Sequence, residues 1–214
     1  MGLPAEQLHE SLRELAAREP AFAAAIERAG LPGARISERG FPTLLRAIVG
    51  QQVSVQSADA MWRKLGGIVG PDYAPAALLA ADAETLRAGG LSRQKTAYAH
   101  SLAAHVRSGE LDLADLPADD EEAIVRLTRV KGIGRWSAEI YLLFAEGRPD
   151  VWPAGDLAVQ VEIGRLLGLD AMPSEKQLRT LADPWRPHRG AAAVFAWHHY
   201  GWRLRAGKAD KMPL

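Results

Sequence analysis

Apolar side chains recur every three to four residues along most of this chain, as they do on the buried face of an α-helix. The interval is clear in residues 8–15 and again in 159–167, and no segment alternates apolar and polar residues as a strand does. Alanine, the residue that most favours helix, occurs 38 times. These patterns predict an all-α protein with about ten helices joined by short Gly/Pro turns.

The complete absence of cysteine excludes several classes of protein. Without a thiol there is no disulfide framework, no thiolate-ligated zinc or iron–sulfur site and no cysteine nucleophile. No apolar run reaches the roughly 18 residues that cross a bilayer, and the first dozen residues lack the apolar core of a secretion signal. The 214 residues suffice for one domain or two closely joined subdomains, and we expect a cytoplasmic monomer.

The charges are clustered although they sum to zero, with 26 basic and 26 acidic side chains. Residues 110–122 contain seven acids and no base, whereas residues 126–135 contain four bases and no acid. Residues 184–214 carry six bases against Asp210 alone. Two basic segments on a neutral protein favour a local anion site, and solvated helix faces are the alternative interpretation.

The segment with the clearest chemistry lies between two predicted helices, at residues 127–140. One apolar helix ends near Val130, the turn Gly132-Ile133-Gly134 follows, and a second apolar helix begins near Arg135. Glycine permits positive φ and a close backbone approach, so the amides here and at the next helix N-terminus can converge on a phosphate. Ile133 would anchor the turn in the core. The pattern favours a hairpin that binds the DNA backbone, with an ordinary helix-turn-helix corner as the alternative.

This hairpin resembles that of the helix-hairpin-helix DNA glycosylases, in which a Gly/Pro-rich loop and an aspartate follow the motif. Here the loop comprises residues 150–156, with the letters DVWPAGD, and it ends at Asp156. Segments 48–54, 90–95 and 184–197 are similar to one branch of that family, the DNA-3-methyladenine glycosylase II enzymes of alkylation repair. The resemblance spans about residues 40–200 and is specific as a set.

The resemblance also implies how the chain is divided. It predicts two helical subdomains with the active-site cleft between them. One is a helical barrel at residues 36–144 that contains the helix-hairpin-helix at about 124–144. The other combines residues 1–35 with 145–214 and carries the aspartate loop.

By the same resemblance, Asp156 is the catalytic residue. A purine alkylated at N3 or N7 is a cationic leaving group, so one ionised carboxylate that stabilises an oxocarbenium-like transition state, or orients water, is sufficient. The alternative role of Asp156 is that of a helix N-cap. Trp136 stands where bifunctional members carry lysine, and tryptophan forms no Schiff base, so β-lyase activity is not expected. The implied enzyme flips an alkylated base out of duplex DNA, hydrolyses its N-glycosidic bond and leaves an abasic site.

Trp136 and Trp197 match family residues that line the base pocket. An aromatic face attracts a cationic base by about 0.5–2 kcal/mol per ring, and core packing is the alternative for both side chains. Ile140 and Leu157 occupy positions where relatives can carry tyrosine, which thins the aromatic cage. Tyr98 is a candidate to compensate.

Gln52 stands where the family places the side chain that fills the gap left by the flipped base, and a polar inter-helix turn is its alternative. Lys95 and Arg189 are candidate phosphate contacts, and the alternative for each is a structural role or an ordinary ion pair. The implied DNA-binding residues are Gln51, Gln52, Ser54, Lys95, Gly132, Ile133, Gly134, Arg135 and Arg189.

No cofactor is required by the implied chemistry. The resemblance implies one structural ion, Na⁺ or K⁺, held at the hairpin by the backbone carbonyls of Thr128, Val130 and Ile133. Lys131 replaces the usual proline of the hairpin, and Gly155 replaces an acidic neighbour found in some relatives.

Double-stranded DNA with alkylated bases is the expected partner, without a membrane or an obligate protein partner. Two other functions stay open: a non-catalytic protein that binds DNA structures, and a glycosylase for another lesion such as mispaired adenine. Asp156 in its loop, together with the two placed tryptophans, favours catalysis over binding alone. Trp136 and the missing cysteine cluster argue against removal of mispaired adenine.

Overall fold

A computed structural model describes residues 2–209, and within that range the chain forms twelve α-helices and no β-strand. The predicted all-α class is therefore confirmed for this part of the chain. None of these helices combines the length and apolar character needed to cross a bilayer. Residues 210–214, which the sequence-based division assigns to the second subdomain, lie outside the described residues. The helices are α1 Ala5–Arg18, α2 Pro20–Ala29, α3 Phe41–Gly50, α4 Val55–Val69, α5 Pro75–Ala80, α6 Ala83–Ala88, α7 Arg93–Ser108, α8 Asp120–Thr128, α9 Arg135–Tyr141, α10 Leu157–Leu166, α11 Glu175–Leu181 and α12 Arg189–Ala209.

Helices α5 and α6 are the two that the apolar pattern does not predict. Each has six residues, fewer than two turns, so no helical interval can repeat within it. Their local signals are a proline at the start of α5 and Asp82 before α6, whose side chain accepts a hydrogen bond from the Thr85 amide at 2.7 Å.

The chain divides into two compact units. The hairpin unit comprises Ser37–Ala145, and the aspartate unit comprises Met1–Ile36 together with Glu146–Leu214. Each unit has its own buried apolar side chains, and each is described separately below.

In the hairpin unit, α7 lies against α3, α5 and α6, and α8 lies against α9. Leu45 of α3, Leu65 of α4, Leu102 of α7 and Leu127 of α8 are fully buried. A π-helical turn, Leu142–Glu146, continues α9, and its first four residues are also buried. This core holds the N-terminal half of α7 next to the turn between α8 and α9.

In the aspartate unit, α12 packs against α1, α2 and α10. The sequence's densest apolar stretch, 191–197, lies in the first half of α12, and its first six residues are buried. Phe22 of α2 contacts Phe195 of α12 and meets Trp185 edge-on, with ring centroids 5.8 and 5.2 Å apart. Trp185 in turn meets Trp152 edge-on at 5.7 Å, which ties the loop at 150–156 to this aromatic cluster.

Candidate active site

The turn between α8 and α9 requires glycine at position 132. Gly132 has φ +95°, a conformation that side chains rarely adopt. A Cβ placed there would lie 2.7 Å from the Cβ of Tyr98 and closer still to its ring. The hairpin backbone therefore rests directly on α7, and the Tyr98 hydroxyl accepts a hydrogen bond from Gln94 Nε2 at 2.6 Å. This contact places the half-buried Tyr98 beneath the hairpin, at the edge of the concave surface described below, and its expected base-pocket role stays a prediction.

Gly134 differs from Gly132, because its backbone faces open space. It precedes α9 with φ −85°, and a Cβ placed there would meet no atom within 4 Å. In the described part of the chain, the amides of Gly132 and Gly134 donate to no protein acceptor. Ile133 is buried, as expected, and its amide donates to the Val130 carbonyl at 3.0 Å. The turn thus presents two unpaired backbone donors, the arrangement that binds a phosphate oxygen.

A concave surface of about 630 Å³ surrounds these amides within the hairpin unit. Thr128, Val130 and Ile133, whose carbonyls are the implied ligands of a monovalent cation, all line it. The described residues contain no group of three or more His, Cys, Asp or Glu side chains that could hold a metal ion. The monovalent cation held by backbone carbonyls stays a prediction from the family resemblance.

The loop after α3 borders the same surface. Gln51 donates from Nε2 to the Gly132 carbonyl at 2.9 Å, so this side chain joins the loop to the hairpin. Gln52 is exposed and has φ +55°, and exposed Val53 follows it. Ser54, implied as a DNA contact, caps α4 by accepting the amide proton of Ser57 at 3.2 Å. The left-handed backbone at position 52 places this glutamine at the tip of an exposed turn.

Two cations implied as DNA contacts are engaged inside the hairpin unit. Lys95 is buried, and its Nζ donates to the Val49 carbonyl near the C-terminus of α3 at 2.7 Å. Burial lowers the pKa of Lys95. Of the two roles left open for Lys95, this placement favours the structural one, because the ammonium is already paired with a backbone carbonyl.

Arg135 joins α8 to α9. Its guanidinium pairs with Glu121 and donates to Glu139 Oε1 at 2.9 Å. The hydrogen bond with Glu121 raises the pKa of Arg135. These pairs give the Arg135 side chain a role in the hairpin's own structure, and its expected contact with DNA stays a prediction.

Asp156 immediately precedes α10, and its side chain caps that helix. Its Oδ1 accepts hydrogen bonds from the Val159 amide at 3.0 Å and from the indole Nε1–H of Trp197 at 3.1 Å. Capping sets the carboxylate at the positive end of α10, where the helix dipole stabilises a negative charge. Asp156 is half-buried and keeps an accessible side. The cap and the catalytic role proposed from the sequence are therefore compatible in one residue.

The loop before Asp156 is held from the interior of the aspartate unit. Trp152 is buried, and the Ala154 carbonyl accepts a hydrogen bond from Gln160 Nε2 at 2.8 Å. The Asp156 amide itself donates to the Pro153 carbonyl at 3.0 Å. These contacts fix the loop conformation before the carboxylate, so the orientation of Asp156 is set from both sides.

Trp197 has a contact that its sequence position does not reveal. Its ring is half-buried on α12, and its N–H is directed at Asp156. Leu157, the first residue of α10, is 66% exposed, and Trp136 at the start of α9 is 50% exposed. The core-packing alternative does not hold for Trp136, because half of its surface is accessible.

Arg189 is paired within the aspartate unit. Its Nε and Nη2 donate to the two carboxylate oxygens of Asp150 at 2.9 and 2.7 Å, and its side chain is 12% exposed. Asp150 also accepts from Arg186 Nη1 at 2.9 Å. Of the two roles left open for Arg189, the bidentate pair favours the structural one. The pair anchors the start of the aspartate loop to the N-terminus of α12.

Residues 45–187 match the family model of the HhH-GPD superfamily base excision DNA repair proteins. The chain belongs to this superfamily. The match includes the hairpin, the aspartate loop and most of both units' site residues, and it ends ten residues before Trp197.

Two relatives and two solved structures that are similar to this HhH-GPD protein carry related names. DNA-3-methyladenine glycosylase 1 of Schizosaccharomyces pombe is 32% identical over 73% of this chain and 71% of its own length. A solved 3-methyladenine DNA glycosylase from that yeast, in complex with abasic DNA, has a TM-score of 0.76 at 29% identity, over 88% of this chain and 95% of that one. DNA-3-methyladenine glycosylase 2 of Escherichia coli is 30% identical over 82% of this chain and 64% of its own length. The crystal structure of a DNA-3-methyladenine glycosidase from Bacillus halodurans has a TM-score of 0.84 at 30% identity, over 91% of each chain.

Proposed function

We propose that this HhH-GPD protein is a monofunctional DNA glycosylase that removes alkylated bases, of the 3-methyladenine and 7-methylguanine type, from double-stranded DNA. The observation that carries the proposal is the Asp156 carboxylate, held at the N-terminus of α10 by the Val159 amide and the Trp197 indole. A protein that only binds DNA has no use for a carboxylate oriented in this way. The names of its relatives point to the same substrate class.

The chemistry follows from the charge of the damaged base. An alkylated purine is already cationic and departs as a neutral base, so the enzyme needs no second carboxyl group to protonate it. As the glycosidic bond breaks, positive charge develops on the sugar, and the fixed negative charge of Asp156 stabilises it. Water then adds to the sugar and leaves an abasic site.

The absence of a lyase step follows from Trp136. Schiff-base formation needs an unprotonated amine, and an indole cannot supply one. Trp136 is 50% exposed at the first turn of α9, where its face is available to a planar cationic base.

Duplex DNA would bind first at the hairpin. The amides of Gly132 and Gly134 are the donors to a phosphate oxygen, and Gln52 at its exposed turn is the side chain that enters the helix beside the flipped base. The carbonyls of Thr128, Val130 and Ile133 would hold the implied Na⁺ or K⁺, which brings a positive charge toward the phosphate. A DNA repair role implies a location with the chromosome, which is a cytoplasmic, nucleoid-associated location if the protein is bacterial.

Asp156→Asn tests the proposal with little structural change. Asparagine also caps helices, and its Oδ1 can accept both existing hydrogen bonds, so only the charge is removed. Wild-type protein incubated with methylated duplex DNA should release free methylpurines, and the variant should release them about 10²–10³-fold more slowly. Chromatography of the released bases measures the rate and identifies the bases, and affinity for an abasic duplex should stay within about twofold.

Two results would contradict the proposal. Tight DNA binding without base release by the wild type would point to a binding protein. Release of adenine from a mismatched duplex, but of no methylpurine, would point to the other lesion class.

A further inference from the structure

We infer that Glu162 and His199 are positioning residues, which keep Trp197 on the catalytic carboxylate of Asp156. The inference rests on the proposed function for its catalytic consequence, but the positioning itself is a property of the aspartate unit. It concerns a buried pair of ionisable side chains for which the proposed reaction has no direct use.

The pair joins α10 to α12. Glu162 has no exposed surface, and its Oε1 lies 2.7 Å from His199 Nδ1. Because a carboxylate oxygen only accepts, His199 Nδ1 carries the proton and donates it. Glu162 Oε2 faces the Arg203 guanidinium at 3.4 Å. Both oxygens of this buried carboxylate therefore have a partner on α12.

The rest of the histidine is enclosed. His199 is 6% exposed, its ring lies 5.2 Å from Trp202 and 5.8 Å from Phe195, and its Nε2 has no hydrogen-bond partner. A ring in such surroundings has no alternative partner for its Nδ1 proton, since rotation would leave both nitrogens unpaired. The Glu162–His199 bond is consequently fixed in one geometry.

This buried bond and the catalytic bond connect the same two helices. Glu162 follows Asp156 by six residues, about 9 Å along α10, and His199 follows Trp197 by two residues on α12. Rotation or sliding of α12 that moved Trp197 off Asp156 would also break the Glu162–His199 bond. An unpaired buried carboxylate is strongly disfavoured, so the buried bond holds the accessible one in place.

The matched variants differ in whether residue 199 still donates a hydrogen bond to Glu162, the link between α10 and α12. His199→Asn keeps a donor near the position of Nδ1 and removes the unpaired Nε2. His199→Leu removes the donor and leaves Glu162 with Arg203 alone. The double variant Glu162→Met with His199→Leu removes both buried partners and leaves no buried carboxylate unpaired, while the partly exposed Arg203 loses its carboxylate partner. This variant serves if the single variant does not fold.

The first measurement is the indole N–H signal of Trp197 in a ¹H–¹⁵N spectrum, assigned by its loss in Trp197→Phe. A hydrogen bond to a carboxylate moves such a proton downfield. We expect the shifted signal in wild type and His199→Asn, and its movement toward an unbonded position in His199→Leu and in the double variant. An unchanged signal in the double variant would overturn the inference.

The second measurement is single-turnover excision from methylated duplex DNA at a temperature where each variant is folded. Variants that break the link should excise about tenfold or more slowly, with abasic-DNA affinity within about twofold, because misplacement of a catalytic group lowers the rate without removing binding contacts. Lower melting temperature with a normal rate and signal would show a merely structural role and overturn the inference. If the wild type releases no base while the signal responds as expected, the positioning stands and the proposed function fails.

Discussion

The two glycines of the hairpin, Gly132 and Gly134, permit a test that separates folding from DNA binding. The same change, glycine to alanine, meets opposite surroundings at these positions. At Gly132 the new Cβ would lie 2.7 Å from Tyr98 Cβ on a backbone with φ +95°. At Gly134 it would meet nothing within 4 Å on a backbone with φ −85°, which alanine adopts freely.

The expected energies follow from these surroundings. A left-handed backbone costs a non-glycine residue about 1–2 kcal/mol. An added methyl group in a packed interior costs about 1–3 kcal/mol more. Here the obstacle includes the Cβ of Tyr98, which cannot move unless the backbone of α7 moves with it. Gly132→Ala should therefore lower the free energy of unfolding by about 2–5 kcal/mol. Gly134→Ala should leave it unchanged or raise it by about 0.4–1 kcal/mol, because alanine has less freedom in the unfolded chain.

Urea unfolding measures these changes in stability. Titration of an abasic duplex at several salt concentrations measures DNA binding. Gly134→Ala should weaken DNA binding about tenfold, which is about 1.4 kcal/mol. Normal binding by Gly134→Ala would refute the close approach of phosphate to the hairpin. Normal stability of Gly132→Ala would refute the steric argument.

Three further predictions concern side chains implied as DNA contacts. Burial lowers the pKa of Lys95 in the folded protein below its ordinary value of 10.5. At a pH between the folded and the unfolded pKa, the unfolded chain binds more protons than the folded protein, so the free energy of unfolding should rise with pH. Urea unfolding across pH 8–10.5 should show a smaller rise in the free energy of unfolding for Lys95→Met than for the wild type. Equal slopes in the two proteins would contradict this prediction. Arg189→Met breaks the bidentate pair with Asp150 and should lower the free energy of unfolding by about 2–4 kcal/mol, whereas a loss under about 0.5 kcal/mol would mean the pair is dispensable. Ser54→Ala removes the side-chain cap on the Ser57 amide and should lower the free energy of unfolding by about 1 kcal/mol in the same assay. An unchanged free energy of unfolding would show that the cap does not stabilise α4.

Much of the fold could be predicted because it depends on neighbours in the chain. The three- and four-residue interval marks helices such as α1 and α3, since one face of each is buried. Asp156 is recognisable as a cap because capping involves only the next three residues. The hairpin is recognisable because Gly132 and Gly134 act through their own backbone angles and amides.

The roles of individual site side chains could not be predicted in the same way. Lys95 has the sequence surroundings of an exposed helix residue, yet it is buried against the Val49 carbonyl, 46 positions away. Tyr98 is an aromatic residue near a site, but its position under Gly132 is visible only after α7 and the hairpin pack together. Short helices such as α5 and α6 are too brief for their pattern to repeat.

The sequence by itself determined the helical class, the hairpin with its two glycines, and the aspartate at the start of α10, because each depends on a short segment. Only the tertiary structure decided that Trp197 donates to Asp156 and that Gln51 donates to Gly132, across 41 and 81 positions of the chain. Packing of whole helices brings such residues together, and it depends on every side chain in the core. No short sequence segment shows which distant hydrogen-bond donor will meet which acceptor.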